Sequence, residues 1–366
     1  MSHQVQIDYR HIAIQCESIC EVAENVVKEL EEILSQIKGS ASSLLNYQTK
    51  ALETQIEGEK TSLLRRIEEV RQKAEQDAEQ GVVRTDSDVL RRQNRENTVL
   101  MAEALRREAD HLRSQRIVEY EGLLQSILKD DLQENYQKLL QKAKCEAFIP
   151  SAVQRLLDSI EDVVLRHFTY LAYLQDDTLS GEALLAAGRA LSEQTYEQRC
   201  AAEEEKIRAE LAAVKLDGKI IARVLQQKGD NARESLSVVR SAATQEIVGE
   251  KIRQKSLKII LKAVQERGFI VDKKNIKINR ETNEVIVVAL KASGEKAQFR
   301  IYLDGKFIYD FRGYEGQACQ KDIGPFMKAL EDVYGMEVSN RTEIWKNPDK
   351  ISSMKYQTIN TNKNRG

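Results

Sequence analysis

Apolar residues recur at alternating steps of three and four between Ile12 and Ile37. Cys16, Ile19, Ala23, Val26, Leu30, Ile33 and Ile37 form one line, with Glu and Lys filling the remaining positions. That 3.5-residue rhythm keeps a single apolar seam facing a partner helix, so Ile19, Val26, Leu30, Ile33 and Ile37 are the expected coiled-coil contacts. Gly39 with Ser40 marks a stop. A second helix is expected from about Ser42 to Gln80, with a weaker seam (Leu45, Leu52, Ile56, Leu63, Ile67, Val70, Ala74) interrupted by Thr49 and Glu59. Gly81 breaks it, and Asp86 or Ser87 can cap a third helix running to about Cys145. In that helix apolar residues thicken only from Leu123 onward, through Leu132, Leu139 and Leu140. Ser151, after Pro150, opens a helix with a broad apolar face from Val153 to Leu171. HFTYLAYL (residues 167–174) is a candidate for the bundle core or for a docking face. Helix resumes after QDDTLSGEALL to about Gln227, pauses at Gly229-Asp230-Asn231, and continues to Arg267.

Beyond Gly268 the period shortens to two. Strands are expected at Asn275–Arg280, Glu284–Lys291, Ala297–Leu303 and Lys306–Phe311, joined by turns at residues 281–283, 293–295 and Asp304-Gly305. Such a meander needs a helix on one face to be stable. Lys251–Arg267 and about Ala318–Tyr334 are the two available. The fold class is therefore mainly α: long coiled-coil helices and a helical bundle, with a small C-terminal α+β domain built as an antiparallel meander flanked by helices. The division expected is 1–149 coiled-coil helices, 150–267 bundle and connecting helix, 268–345 α+β domain, and 346–366 a flexible, mildly basic tail.

Composition sharpens this picture. Charged residues make up 31% of the 366, aromatics 5%, and the three prolines (Pro150, Pro325, Pro348) leave two long stretches with no obligatory helix breaker. The net charge of −2, with acids and bases interspersed, argues against a general nucleic-acid role, which calls for a basic stripe. The start, MSHQVQIDYRHIAIQ, lacks a basic segment followed by an apolar run, and no stretch approaches the roughly 18 apolar residues of a membrane span. Five cysteines without framework spacing suit a reducing cytoplasm.

Residues 298–345 carry Asp304-Gly305, then Gly313-Tyr314-Glu315-Gly316-Gln317-Ala318-Cys319, then PFMKALEDVYG. This arrangement of strand, Asp-Gly hairpin, strand, Gly-aromatic-x-Gly-x-x-Cys and helix resembles a small bacterial domain family of unknown function found beside AAA+ ATPases. The resemblance implies an accessory part of an ATPase-driven assembly, and it leaves the helical region uncovered. Pro325 departs from an uninterrupted final helix; a start near Gly324, with residues 316–323 as a loop, would accommodate it.

The chemistry-bearing residues have plainer explanations. Cys319, just before a helix, could have a lowered thiol pKa, but no histidine lies near it in sequence. Cys16 and Cys20, with His11 upstream, could chelate a metal, but Cys16 sits on the seam, where packing explains it. Glu203-Glu204-Glu205 and Asp130-Asp131 read as solvated helix faces. No Gly-x-x-x-x-Gly-Lys segment is present. No catalytic residue, metal site or cofactor is expected. The expected role is a non-enzymatic scaffold or adaptor in the cytoplasm, self-associating or pairing its helices internally. It would dock a protein partner, an AAA+ ATPase by the resemblance, through a free sheet face or edge strand near Phe307, Tyr309 and Phe311, with Tyr314 and Cys319 alongside. The alternatives are a membrane-associated helical assembly protein and a nucleic-acid-associated coiled-coil protein.

Overall fold

The computed structural model describes residues 2–39, 46–80, 89–128, 149–279, 284–303, 306–314, 318–334 and 336–346. The protein is mainly α, with a small α+β part at its C-terminal end. Its elements are β1 (Ser2–Arg10), α1 (Ile12–Gly39), α2 (Asn46–Glu79), α3 (Val89–His111), a π-helical turn (Leu112–Ile117) and α4 (Val118–Leu128). They continue with α5 (Ser151–Ser159), α6 (Val163–Gln175), α7 (Gly181–Ala213), α8 (Gly218–Leu225) and α9 (Ala232–Gln265). Then come β2 (Ile276–Asn279), β3 (Glu284–Leu290), β4 (Lys296–Ile301), β5 (Lys306–Arg312), α10 (Gln320–Asp332) and β6 (Glu337–Lys346).

Two compact units are assembled from discontinuous pieces of chain. One combines Met1–Ser18, Gln72–Val99 and Glu246–Gly366; the other combines Ile19–Arg71 and Leu100–Gln245. The units thus differ from the consecutive division the sequence suggested, because helices far apart in sequence share each of them.

In the helical unit the α1 seam is buried at Ile19, Val26, Leu30, Ile33 and Ile37. The pairs Glu24–Arg71 and Glu31–Lys60 set α1 and α2 antiparallel. Glu59, which interrupts the α2 seam, accepts the Tyr120 hydroxyl at 2.9 Å. Along α3 and α4 the buried line runs Ala102, Leu105, Ala109, Leu112, Ile117, Tyr120, Leu124. Its steps are three or four except between Leu112 and Ile117, where one extra residue enters. The π turn absorbs that residue and keeps both halves of the seam in phase.

The single helix expected from Ser151 is two. α5 ends at Ser159, and Asp162 caps α6 by accepting the Leu165 amide at 3.0 Å. α7 also stops earlier than expected: Lys215 takes a left-handed φ of 64°, and Asp217 caps the short α8. The aromatic run on α6 is core, with Phe168, Ala172, Tyr173 and Leu174 buried. Gly188 of α7 lies so close to α6 that a Cβ there would stand 2.6 Å from the Thr169 Cα.

In the other unit the sheet has six strands rather than four, in the order β2-β3-β4-β5-β1-β6, and every neighbouring pair is antiparallel. β1 lies beside β5, and β6 beside β1. The sequence signalled neither strand. The turn expected at 293–295 forms and begins two residues earlier, with Gly294 at φ 98° and the Lys291 amide bonded to the Glu295 carbonyl at 2.9 Å. α10 begins at Gln320, so Pro325 stands inside it and residues 320–323 are helical rather than loop. Proline has no N–H for the carbonyl four residues earlier, that of Lys321. The caps expected at Asp86 or Ser87, the Asp304-Gly305 and 281–283 turns, Leu132, Leu139, Leu140, Cys145 and the tail from 347 lie outside the described residues.

Two outcomes are expected. Gly188→Ala should cost about 1–3 kcal/mol by denaturant unfolding, despite alanine's better helix propensity, because the Thr169 backbone must retreat. His167 is buried and bonded through Nδ1 to the Val163 carbonyl at 2.8 Å, and burial lowers its pKa to about 4. The unfolded chain therefore takes up a proton below about 6.5, while the folded chain does so only near 4. His167→Asn keeps a donor in place of Nδ1. Wild type should lose up to roughly 3 kcal/mol relative to this variant as pH falls through that window.

Candidate functional site

The alternation of β5 decides which of its residues can meet a partner. Phe307, Tyr309 and Phe311 stand at every second position and share one face with Val285, Val287, Ala289, Ala297, Phe299 and Ile301. Ile260 and Val264 of α9 and Ile323, Phe326, Met327 and Leu330 of α10 belong to the same core. The rings make an aromatic cluster, with Tyr309 edge-on to Phe311 at 5.6 Å and Phe299 edge-on to Phe311 at 6.0 Å. Phe307 and Tyr309 are 0% exposed and Phe311 2%. β5 is moreover an interior strand, held between β4 and β1. The docking surface expected at Phe307, Tyr309 and Phe311 is therefore hydrophobic core, and the correction follows from strand parity.

The opposite face has a different character. One cross-strand row runs Lys277, Ile286, Arg300, Ile308; the next runs Val288, Gln298, Asp310. Ile286, Val288 and Ile308 are half-buried, while Lys277, Arg300 and Arg312 are exposed. On strands β2–β5 the acids of this face, Asp310 and Glu284, are buried and engaged. Asp310 accepts two bonds from Arg312, and Glu284 lies against Asn279 and Tyr302. What reaches solvent is an aliphatic strip framed by positive charge.

Tyr314 and Cys319 are also buried, beside a polar cluster that the sequence did not announce. The Tyr314 hydroxyl donates to Asp322 Oδ2 at 2.5 Å, and Lys291 Nζ reaches the same oxygen at 2.6 Å. Lys291 also sits 4.7 Å above the Phe269 ring. Burial and the Asp322 carboxylate both push the Tyr314 pKa up. Gly313, at φ 87°, lies against the 294–295 turn, where a Cβ would come 3.1 Å from the Gly294 carbonyl oxygen. The cluster thus pins the segment after β5 to the β3–β4 turn. Burial raises the Cys319 thiol pKa, outweighing the backbone amides that would lower it, so the thiol stays neutral. Cys319 and Tyr314 therefore act as packing and latch residues, not as exposed contacts.

In the helical unit the polar chemistry gathers at the π turn. Arg113 is clasped by two carboxylates from different helices, Glu29 of α1 and Glu210 of α7, with closest contacts of 2.5 Å to each. Burial disfavours its charge, but the two carboxylates more than compensate and raise its pKa. Ser114 gives its carbonyl to the Tyr196 hydroxyl at 2.6 Å, Gln115 donates to the Arg233 carbonyl, and Arg116 reaches Asp162. Arg240 of α9 is fully buried and bonds Glu203 and, at 2.7 Å, Glu210. Burial works against the Glu203 carboxylate, but Arg240 and Lys206 hold its pKa below the ordinary value. Of the three acids read as a solvated face, Glu204 and Glu205 are exposed and Glu203 is interior.

Asp110, buried with Arg106 and Thr244, is the exception: desolvation outweighs its cationic neighbours and raises its pKa to about 6. Beside this network a cleft of about 550 Å³ opens between α1, α4 and α7, floored by Ile33 and Leu124. Its charges are largely matched, since Glu29 holds Arg113 and Glu121 holds both Arg199 and Lys206.

Cys16 and Cys20 are buried on α1. Among the described residues no group of three or more His, Cys, Asp or Glu is placed to hold a metal, and no helix is long and apolar enough to cross a membrane. No family model, curated protein or solved structure matches the chain.

Replacing Arg113 by Met should cost roughly 3 kcal/mol of unfolding free energy, because Glu29 and Glu210 lose their shared partner in a water-poor site. The same experiment on Arg65, whose pair with Glu69 is exposed, should move stability by less than about 0.5 kcal/mol.

Proposed function

We propose that the protein is a non-enzymatic scaffold or adaptor that docks an acidic protein partner on the solvent-facing side of its sheet. The observation that carries this reading is the strip of Ile286, Val288 and Ile308 framed by exposed Lys277, Arg300 and Arg312, with Glu284 and Asp310 of the same strands buried and engaged. Half-buried aliphatics flanked by charges of one sign suit a partner whose apolar contacts are ringed by carboxylates. The scaffold part of this reading falls to the long helices. An AAA+ ATPase is the partner class to which the resemblance of residues 298–345 points, and the assembly would be a bacterial ATPase-driven one.

A basic face also suits a polyanion, which keeps a nucleic-acid or anionic-membrane role as the alternative. The two differ in the aliphatic strip: phosphate contacts need the charges alone.

The test is affinity capture of the tagged full chain from its native host, with Ile308→Glu and Arg300→Glu as comparison baits. Both substituted positions lie off the core, so helicity should be unchanged. A stoichiometric protein should be retained by wild type and weakened about tenfold by either substitution. Capture that neither substitution affects would remove the docking assignment. Loss with Arg300→Glu alone, accompanied by steeply salt-dependent nucleic-acid or liposome binding, would replace it by the polyanion reading.

A further inference from the structure

The two edges of the sheet are unequal. β2 offers four residues, Ile276–Asn279, whereas β6 offers ten, Glu337–Lys346, without a proline. Among the described residues β6 hydrogen-bonds to β1 alone. Its register with β1 shifts between Asp8 and Tyr9, which leaves Asn340–Lys346 as a regular run opposite Ser2–Asp8. In a strand paired on one side, every second residue directs its backbone N–H and C=O outward, ready to bond a further strand.

We propose that β6 is the surface through which two copies of this chain associate, their β6 strands pairing antiparallel about a two-fold axis at Thr342. Outward-directed backbone groups recur with period two, so a strand can pair with its own copy only when the axis passes beside a residue, never between two. That restriction leaves few registers, and charge separates them. An axis at Arg341 sets Arg341 against itself, and one at Glu343 sets Glu343 against itself. An axis at Ile344 brings no charges together. The axis at Thr342 sets Arg341 of each copy opposite Glu343 of the other, giving two attractive pairs, with Asn340 opposite Ile344 outside them. Directly opposed residues of opposite charge stabilise antiparallel pairs, and like charges destabilise them. The proposal is independent of the docking reading, because it uses the edge of the sheet and not its face.

The decisive experiment is a charge exchange on the full chain, read by sedimentation or light scattering across a dilution series. Wild type should dimerise. Arg341→Glu and Glu343→Arg each place like charges across the axis twice and should weaken the dimer about tenfold or more. The double exchange restores both pairs and should recover wild-type association. Hydrogen exchange on the unsubstituted chain supplies a second readout that does not depend on how the variants fold. Amide protection over residues 340–344 should rise with protein concentration. A monomeric wild type, a dimer indifferent to the single substitutions, a double exchange that fails to recover it, or protection independent of concentration would each overturn the proposal.

Discussion

A guanidinium leaves water only if carboxylates leave with it, and the helical unit is arranged around that requirement. Arg113 and Arg240 are both buried, and their partners Glu29, Glu203 and Glu210 come from α1 and α7. Glu210 serves both arginines, so the two clusters form one network. Apolar seams of Leu, Ile and Val tolerate sliding and repacking, whereas a buried charge with fixed partners does not. The network therefore restricts which faces of α1, α7 and α9 can meet the π turn. The extra residue between Leu112 and Ile117 belongs to the same constraint. It lets Arg113, Ser114, Gln115 and Arg116 each engage a different part of the unit while the seam on either side stays in phase.

The sheet unit follows another logic. Its core depends on residues distant in sequence: α9 and α10 cover the face that carries the aromatic cluster, and β1 joins the strands of the C-terminal half. A segment boundary near residue 268 is thus visible as a change of period but is not a boundary of folding. Strand parity then separates two roles that the sequence had merged. The large aromatics stabilise the core, and the residues between them, smaller and partly charged, form the surface.

What could be read in the sequence depended on how redundantly each feature was encoded. The α1 seam rests on seven concordant positions, and strands β2–β5 on β-branched alternation with turn residues between them. Both kinds of element are present. β1 was missed because SHQVQIDYR is polar at six of its nine positions and lies far from the strands it joins. The seam of α3 was missed because Ala102 and Ala109 are too small to mark an apolar line. Arg240 had one available signal, a lone charge in SVVRSAAT among small and apolar residues. Arg113, in a stretch dense with charge, had none. The docking assignment failed for a simpler reason. Aromatic residues in a strand attract attention as a recognition surface, yet three of them at every second position describe a buried face.

The central claim is that buried charge pairs, rather than seam packing alone, specify the helical unit. A double-mutant cycle on Arg240 and Glu203 tests it most directly, with Arg240→Met, Glu203→Leu and the double substitution compared by denaturant unfolding. The account expects each single substitution to cost several kcal/mol, and the double to cost less than the two singles together, with a coupling of at least about 2 kcal/mol. Additive effects, each below about 0.5 kcal/mol, would contradict it.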